Sequence, residues 1–340
     1  MKRTATSLAL LFFLTKGLFG QDLVREFELF PPKYKIHNSL YNKIDFLDSR
    51  GDSSRIGIVL AGLLKNHDAK FILKTPFLPQ VQRLMNALTD SSAAEGELLF
   101  QLKQFNFIEA SGTRYCYLGA ALYVKKEQGY LGLSVLDTVI VVTAANVGKI
   151  LTNAGNKIIA NFIARGLLLQ ANEGVLYNMS SLENIDSVEK SHIPVYLATS
   201  YTDGIYLTYE SFKNQRPEMK GQVDIKRDGS ISSVKITDSL GKKIKLRSKS
   251  LYAVIAGGHP YIATEYGYYP LQKINDNFFF TGDIKIAASN QDIVSGELGF
   301  GLLGAGLAAM GSKARYDMII DHLNGRFFHL REIKTETDTN

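Results

Sequence analysis

ELLFQLKQFNFIEASGTRYCYLGAALYVKKEQGYLGLSVLDTVIVVT, residues 97–143, contains three long apolar runs parted by two short polar breaks. In the first run Leu98, Phe100 and Leu102 form one alternating apolar set, and Phe105 and Phe107 then continue out of phase. That slip is the mark of a β-bulge near Lys103 or Gln104. The second and third runs, Thr113 to Lys125 and Tyr130 to Thr143, are apolar at both alternating sets of positions. They therefore predict strands covered on both faces, joined through Lys126-Glu127-Gln128-Gly129 as a hairpin. Cys116 shares its strand face with Leu118, Ala120 and Leu122 and is expected to be a buried thiol. Asp137 interrupts the third run, where an unpaired carboxylate would be costly, and the sequence offers Arg114 on the neighbouring strand as its partner.

Two helices flank these strands. Val81, Leu84, Met85 and Leu88 recur at helical spacing behind Pro79, predicting a helix from Pro79 to Asp90. Val147, Leu151, Ala154, Ile158 and Phe162 form one stripe of a second helix, Ala145 to Arg165, stopped by Gly166. Upstream, Tyr41 to Leu47, Ile56 to Ala61 and Lys70 to Leu73 read as shorter strands, and 21–40 as a lead-in segment. Residues 41–169 thus form an α/β sandwich-like domain, a mixed or antiparallel sheet with two helices.

The polar segment 170–191 reads as a linker. Beyond it, strand candidates recur between turn signals at Asp228-Gly229, Ser239-Leu240-Gly241, Asn275-Asp276-Asn277 and Leu323-Asn324-Gly325, with one short helix at Thr208 to Asn214. This predicts a β-rich antiparallel sandwich or barrel over 192–333 and an α+β chain overall. Residues 334–340 read as a disordered tail.

The chain opens with a basic Met1-Lys2-Arg3-Thr4, a short apolar core from Ser7 to Leu14 and Gly17-Leu18-Phe19-Gly20, the pattern of a secretory signal peptide over 1–20. Loss of Lys2, Arg3 and Lys16 with the leader lowers the formal charge from +6 to +3, so the basic balance is no argument for a nucleic-acid partner. With a single cysteine no intramolecular disulfide is possible, which suits a bacterial envelope protein better than a disulfide-stapled module. The expected location is the periplasm or the periplasmic face of the outer membrane.

KIDFLDSR at 43–50, the helix after it, ELLFQLKQFN at 97–106 and LDTVIVV at 136–142 before a helix resemble the small α/β domain of periplasmic auxiliary lipoproteins of envelope transport systems. The resemblance implies an accessory or assembly module, although no cysteine follows the apolar core here to carry a lipid. DGIYLTYESFK at 203–213 and YAVIAGGHPYI at 252–262 resemble uncharacterised secreted proteins of Gram-negative bacteria, a likeness that brings no activity with it.

GELGFGLLGAGLAAMG, residues 296–311, has six Gly among sixteen residues and no charge after Glu297. It is expected to pack against protein or lipid, either as a buried connection between strands or as a membrane or partner contact through Leu298, Phe300, Leu302, Leu303 and Leu307. At 1.5 Å per residue it covers roughly 24 Å, too short for a lone spanning helix. Its formal GxGxxG at 299–304 lacks the preceding strand and following sheet that dinucleotide binding needs.

Catalytic signals are sparse. Ser134 sits in an incomplete GxSxG, and the six histidines show no HxH or HExxH pairing, so no catalytic, cofactor or metal residue is assigned. From Lys213 to Lys249 eleven basic residues face four acidic ones. Lys243, Lys245 and Arg247 alternate with Ile244 and Leu246, making one strand face basic: a guarded sheet edge, or a contact for an anionic lipid head group or glycan. The sequence therefore supports an exported, non-enzymatic envelope accessory or binding protein, whose partner is a membrane surface or another envelope protein; no oligomeric state follows from it. The alternative is a hydrolase acting on envelope glycans or peptides, which convergence of two or more of Asp137, His259, Asp321 and His322 in a cleft would favour.

Overall fold

The computed structural model describes residues 23–61, 67–110, 113–142, 147–171, 173–285 and 313–333. The predicted leader, the Gly-rich stretch with Leu298, Phe300, Leu302, Leu303 and Leu307, and the C-terminal tail lie outside the described residues.

The three apolar runs become strands β5 (Glu97–Ala110), β6 (Thr113–Lys126) and β7 (Gly129–Val142), paired antiparallel over nearly their full length. Register slips between Leu102 and Gln104, making Lys103 the extra residue of the expected bulge. Around them β1 (Leu23–Phe27), β2 (Lys43–Asp48), β3 (Gly57–Ala61), β4 (His67–Leu73) and β8 (Leu176–Tyr177) complete a curled eight-stranded sheet, ordered β1-β4-β3-β5-β6-β7-β8 with β2 also on β5. Both β2 and β3 run parallel to β5, β2 along Glu97 to Leu102 and β3 at Phe107 and Ile108. The lead-in is thus structured: its first residues pair as β1 with β4, and the Leu29 amide donates to buried Gln80 at 2.7 Å.

Helix α1 (Phe77–Leu88) buries Val81, Leu84, Met85 and Leu88 as its periodicity requires. It starts two residues before Pro79, which a first turn tolerates because its amide has no helical acceptor there. Helix α2 (Val147–Gly166) buries Ala154 and Phe162, but Ile159 and Ile163 lie at the centre of its packed face. Both helices cover one face of β5–β7, where Phe100, Phe105, Phe107, Cys116, Leu118 and Leu122 meet them in the largest core cluster. Cys116 is fully buried there.

The opposite face is covered by the second half of the chain. Tyr115, Tyr117, Val139 and Val141 project into a cluster with Tyr206, Phe212, Ile255, Phe278, Phe280, Tyr316 and Met318. The predicted linker also packs on this face, carrying β8 and the short helices α3 (Met179–Glu183) and α4 (Ile185–Lys190). Leu182 and Ile185, three apart, bury against Leu99, Ala121 and Tyr123, which explains why a polar segment is ordered.

After α5 (Pro194–Leu197) and α6 (Tyr209–Lys213), the remaining strands form three antiparallel sheets. Strand β9 (Gly204–Tyr206) joins β13 (Ala253–Ala256), β14 (His259–Thr264) and β15 (Gly267–Pro270). Strands β10 (Gln222–Ile225), β11 (Ile231–Thr237) and β12 (Lys243–Leu246) form a second sheet. Strands β16 (Gln272–Ile274), β17 (Asn277–Lys285), β18 (Lys313–Ile320) and β19 (Phe327–Glu332) form the third. The chain is α+β and strand-rich. Among the described residues no helix is long and apolar enough to cross a membrane.

Close backbone approach explains one glycine. Gly57 has φ of 140°, and a Cβ there would meet the Phe107 carbonyl oxygen at 2.1 Å, because β3 passes β5 at that point. Gly57→Ala is expected to destabilise by more than about 1 kcal/mol, since alanine meets both an unfavourable φ and a backbone atom. Denaturant unfolding reads this directly; an unchanged midpoint would mean that β3 is not held against β5.

Candidate functional site

The bulge organises a polar cluster on the face turned toward the second half of the chain. Residues 115, 117, 119, 121 and 123 of β6 share that face. Gly119 lies opposite Gln104 on one side and Asp137 on the other, so no side chain stands between β5 and β7 at this level. The extra residue in β5 aims Lys103 onto the same face, where its ammonium donates to Glu189 Oε1 at 2.9 Å.

Glu189 comes from α4, whose Asp186 lies one turn earlier. His322 follows β18 in the turn predicted around Leu323-Asn324-Gly325, and its Nε2 lies 2.8 Å from Glu189 Oε2. Asp321 Oδ1 is 4.0 Å from the other ring nitrogen, Nδ1, and accepts the Leu323 amide at 2.9 Å. The same turn sends Arg326 to Asp137 Oδ2 at 3.2 Å, and the Asn324 amide also donates to Asp137. Arg114 instead pairs with Glu109 at 2.6 Å. The expected Asp137–Arg114 pair fails on register: Arg114 stands opposite Val142 and Asp137 opposite Gly119, five residues along β6.

Three tyrosines close the cluster. The Tyr209 hydroxyl donates to the His322 carbonyl at 2.6 Å, and the Tyr252 hydroxyl to the Gly325 carbonyl at 2.9 Å. Gly325 has φ of 75°, and a Cβ there would run into the Tyr209 ring at 2.2 Å, so the turn and the ring fit only with glycine. The Tyr196 ring lies edge-on to the His322 ring, with centroids 6.2 Å apart.

Four carboxylates, Asp137, Asp186, Glu189 and Asp321, are set against the cations of Lys103 and Arg326. Burial and then the charge of Asp321 push the Asp137 carboxyl up to about 6, against the pull of Arg326. Burial likewise raises Asp321, partly offset by the Leu323 amide, His322 and Lys103. Glu189 goes the other way: burial would raise it, but the hydrogen bond to His322 and the Lys103 charge outweigh that and hold it below its usual range.

No protein-family model, curated protein or solved structure matches this chain.

Lys243, Lys245 and Arg247 are all exposed, Lys243 and Lys245 on β12 and Arg247 just beyond it, and β12 is the end strand of its sheet. Leu246 and Ile236 pack inward on the cluster around Val234, which turns the alternate basic side chains outward. Lys243 donates to Gln222 at 2.8 Å, and Lys235 on β11 is matched by Asp224 at 2.6 Å. Among the described residues, none of Lys243, Lys245 and Arg247 has an ion-pair partner. At the tip of the β11–β12 hairpin Leu240 is 90% exposed, next to Lys242 and Lys243. Of the four residues whose convergence would favour an enzyme, Asp137, Asp321 and His322 meet in the polar cluster, whereas His259 is exposed on β14.

The sequence reading missed Lys103, Asp186, Glu189 and Arg326. The one local signal was Asp186 and Glu189 at i, i+3, one helical face, but they stand in a segment too polar and too short to read as a helix.

Proposed function

We propose that this chain is an exported, non-enzymatic cell-envelope binding protein, an α/β unit followed by a β-rich unit, that holds an anionic ligand on the outer edge of β12. The observation that carries this reading is the exposed row Lys243, Lys245 and Arg247, with no acidic partner among the described residues. An exposed leucine beside lysines at a hairpin tip favours a lipid head group over a glycan, since Leu240 adds apolar contact where the lysines add charge. The leader-like residues 1–20 and the resemblance of 41–169 to auxiliary envelope lipoproteins support the location, periplasm or periplasmic face of the outer membrane.

The second reading is a hydrolase of envelope glycans or peptides, for which Asp137, Asp321 and His322 come together but no cleft at them is described. Against it, Asp137 is engaged by Arg326 and Asn324.

Expression of the full chain in a Gram-negative host, followed by fractionation and mass spectrometry of the N-terminus, tests the location. The expected product starts at Gln21 and appears in the periplasmic or outer-membrane fraction. An intact Met1 on cytosolic protein would refute export.

A further inference from the structure

We propose that Asp186, Glu189 and His322 form a binding site for a divalent transition-metal cation, beside the buried ring of Tyr196. This goes beyond the anionic-ligand reading and does not depend on it. One ligand atom from each residue lies within 4.8 Å of the others, so a side-chain movement of about 1 Å brings them to the spacing of about 3.5 Å that a single ion with metal–ligand distances of about 2.0–2.2 Å gathers. The contact of Glu189 Oε2 with His322 Nε2, 2.8 Å, opens slightly as the ion enters between them. Lys103 holds Oε1, so Oε2 remains the ligating oxygen, and Asp321 lies 4.0 Å from the far nitrogen of His322. A carboxylate that accepts the far N–H of a ligating imidazole orients the ring, and Asp321 is near enough to take that place with a movement of about 1 Å. Asp186 is exposed, which leaves a path for the ion from solvent.

An independent observation comes from Tyr196. Its side chain is 4% exposed, and its hydroxyl makes no well-aligned hydrogen bond among the described residues, its neighbour being the Tyr209 hydroxyl. The ring lies edge-on to His322, and the hydroxyl sits in the field of Asp321 and Asp186. The neighbouring Tyr209 hydroxyl already gives its proton to the His322 carbonyl. Buried hydroxyls are normally satisfied, and water or hydroxide on a metal held by the three ligands would offer Tyr196 an acceptor beside the Tyr209 oxygen. One imidazole with two carboxylates suits Zn²⁺ or Mn²⁺ better than the all-oxygen shells of Mg²⁺ and Ca²⁺, and Zn²⁺ binds such sites more tightly than Mn²⁺.

The test is calorimetric titration of the purified, chelator-treated chain with Zn²⁺ alone. One ion per chain is expected. Asp186→Asn, at an exposed position that does not endanger the fold, is expected to weaken binding by about tenfold or more, and His322→Gln to remove the isotherm. Tyr196→Phe leaves the metal-free protein as stable as before or more so, because it deletes a hydroxyl without a well-aligned hydrogen bond, yet weakens Zn²⁺ binding. No saturable binding, or the same stoichiometry and affinity in Asp186→Asn as in the parent, would overturn the proposal.

Discussion

Relative to the parent, Asp137→Asn is expected to steepen the loss of stability between pH 7 and pH 4, and His329→Phe to lessen or reverse it. His329 is 1% exposed, its Nδ1 hydrogen-bonded to the Tyr117 hydroxyl and its ring enclosed by Tyr115, Tyr117 and Tyr316. Burial drives its pKa from 6.5 down to about 3. Between those values the unfolded chain binds a proton that the folded chain refuses, so stability is full above pH 6.5 and falls as pH drops toward 3. Asp137 has the opposite sign. Burial and Asp321 raise it from 3.8 to about 6, so between those values the folded chain binds the extra proton and stability rises as pH falls.

Each slope amounts to about 1.4 kcal/mol per pH unit, so the two nearly cancel from pH 6 to 4 in the parent. Removing Asp137 unmasks a loss of about 3 kcal/mol at pH 4 relative to pH 7, and removing His329 unmasks a gain of similar size. The hydroxyl of Tyr117 loses its partner in His329→Phe, but that cost does not depend on pH in this range. Denaturant unfolding at pH 7 and pH 4 measures both. Parallel pH profiles in the parent and both variants would show that these groups do not titrate as their burial requires.

Tyr117→Ala is expected to lower stability by about 3–5 kcal/mol and to do so for the whole chain in one transition. Tyr117 is 1% exposed on β6, in the middle of the sheet, and packs edge-on against Phe328 and His329 from β19. Its loss opens a cavity at the contact between β5–β7 and the C-terminal sheets and strands the His329 imidazole. Because no tryptophan is present, near-ultraviolet dichroism of the tyrosines is the probe, with far-ultraviolet signal as the second. Coincident, equally shifted transitions are expected. Two transitions of which only one moves would mean that the halves fold independently, as the polar segment 170–191 invites one to read from sequence.

The sequence was most informative where one chain segment carries the whole pattern. The stripe Val81, Leu84, Met85 and Leu88 is enough to specify α1, and the phase change after Leu102 is enough to place the bulge, since both are local consequences of backbone period. The double-sided burial of β6 and β7 was also legible, because strands with apolar residues on both faces need two covers. What was illegible is what each cover supplies. Glu189 and His322 are 133 residues apart, and neither is unusual in its own surroundings. The partner of Asp137 was sought on the adjacent strand, but it comes from a turn 189 residues away that only the tertiary fold brings near. Charge rows behave differently: Lys243, Lys245 and Arg247 share a strand face by local alternation alone, and their exposure follows from Ile236 and Leu246 being needed inside.

Sedimentation with lipid vesicles is the most direct measurement of the binding role. The chain is expected to bind vesicles rich in anionic phospholipid, to ignore neutral ones, and to be released by salt, because exposed charges separated by more than about 8–10 Å are screened at ordinary ionic strength. At about 1 kcal/mol per basic side chain near an anionic surface, reversing Lys243, Lys245 and Arg247 to Glu together is expected to weaken binding by about a hundredfold or more, and Leu240→Ser to weaken it further without touching the charge. Equal binding by the parent and the triple variant, or no preference for anionic over neutral vesicles, would contradict the assignment of the β12 edge as the ligand-holding surface.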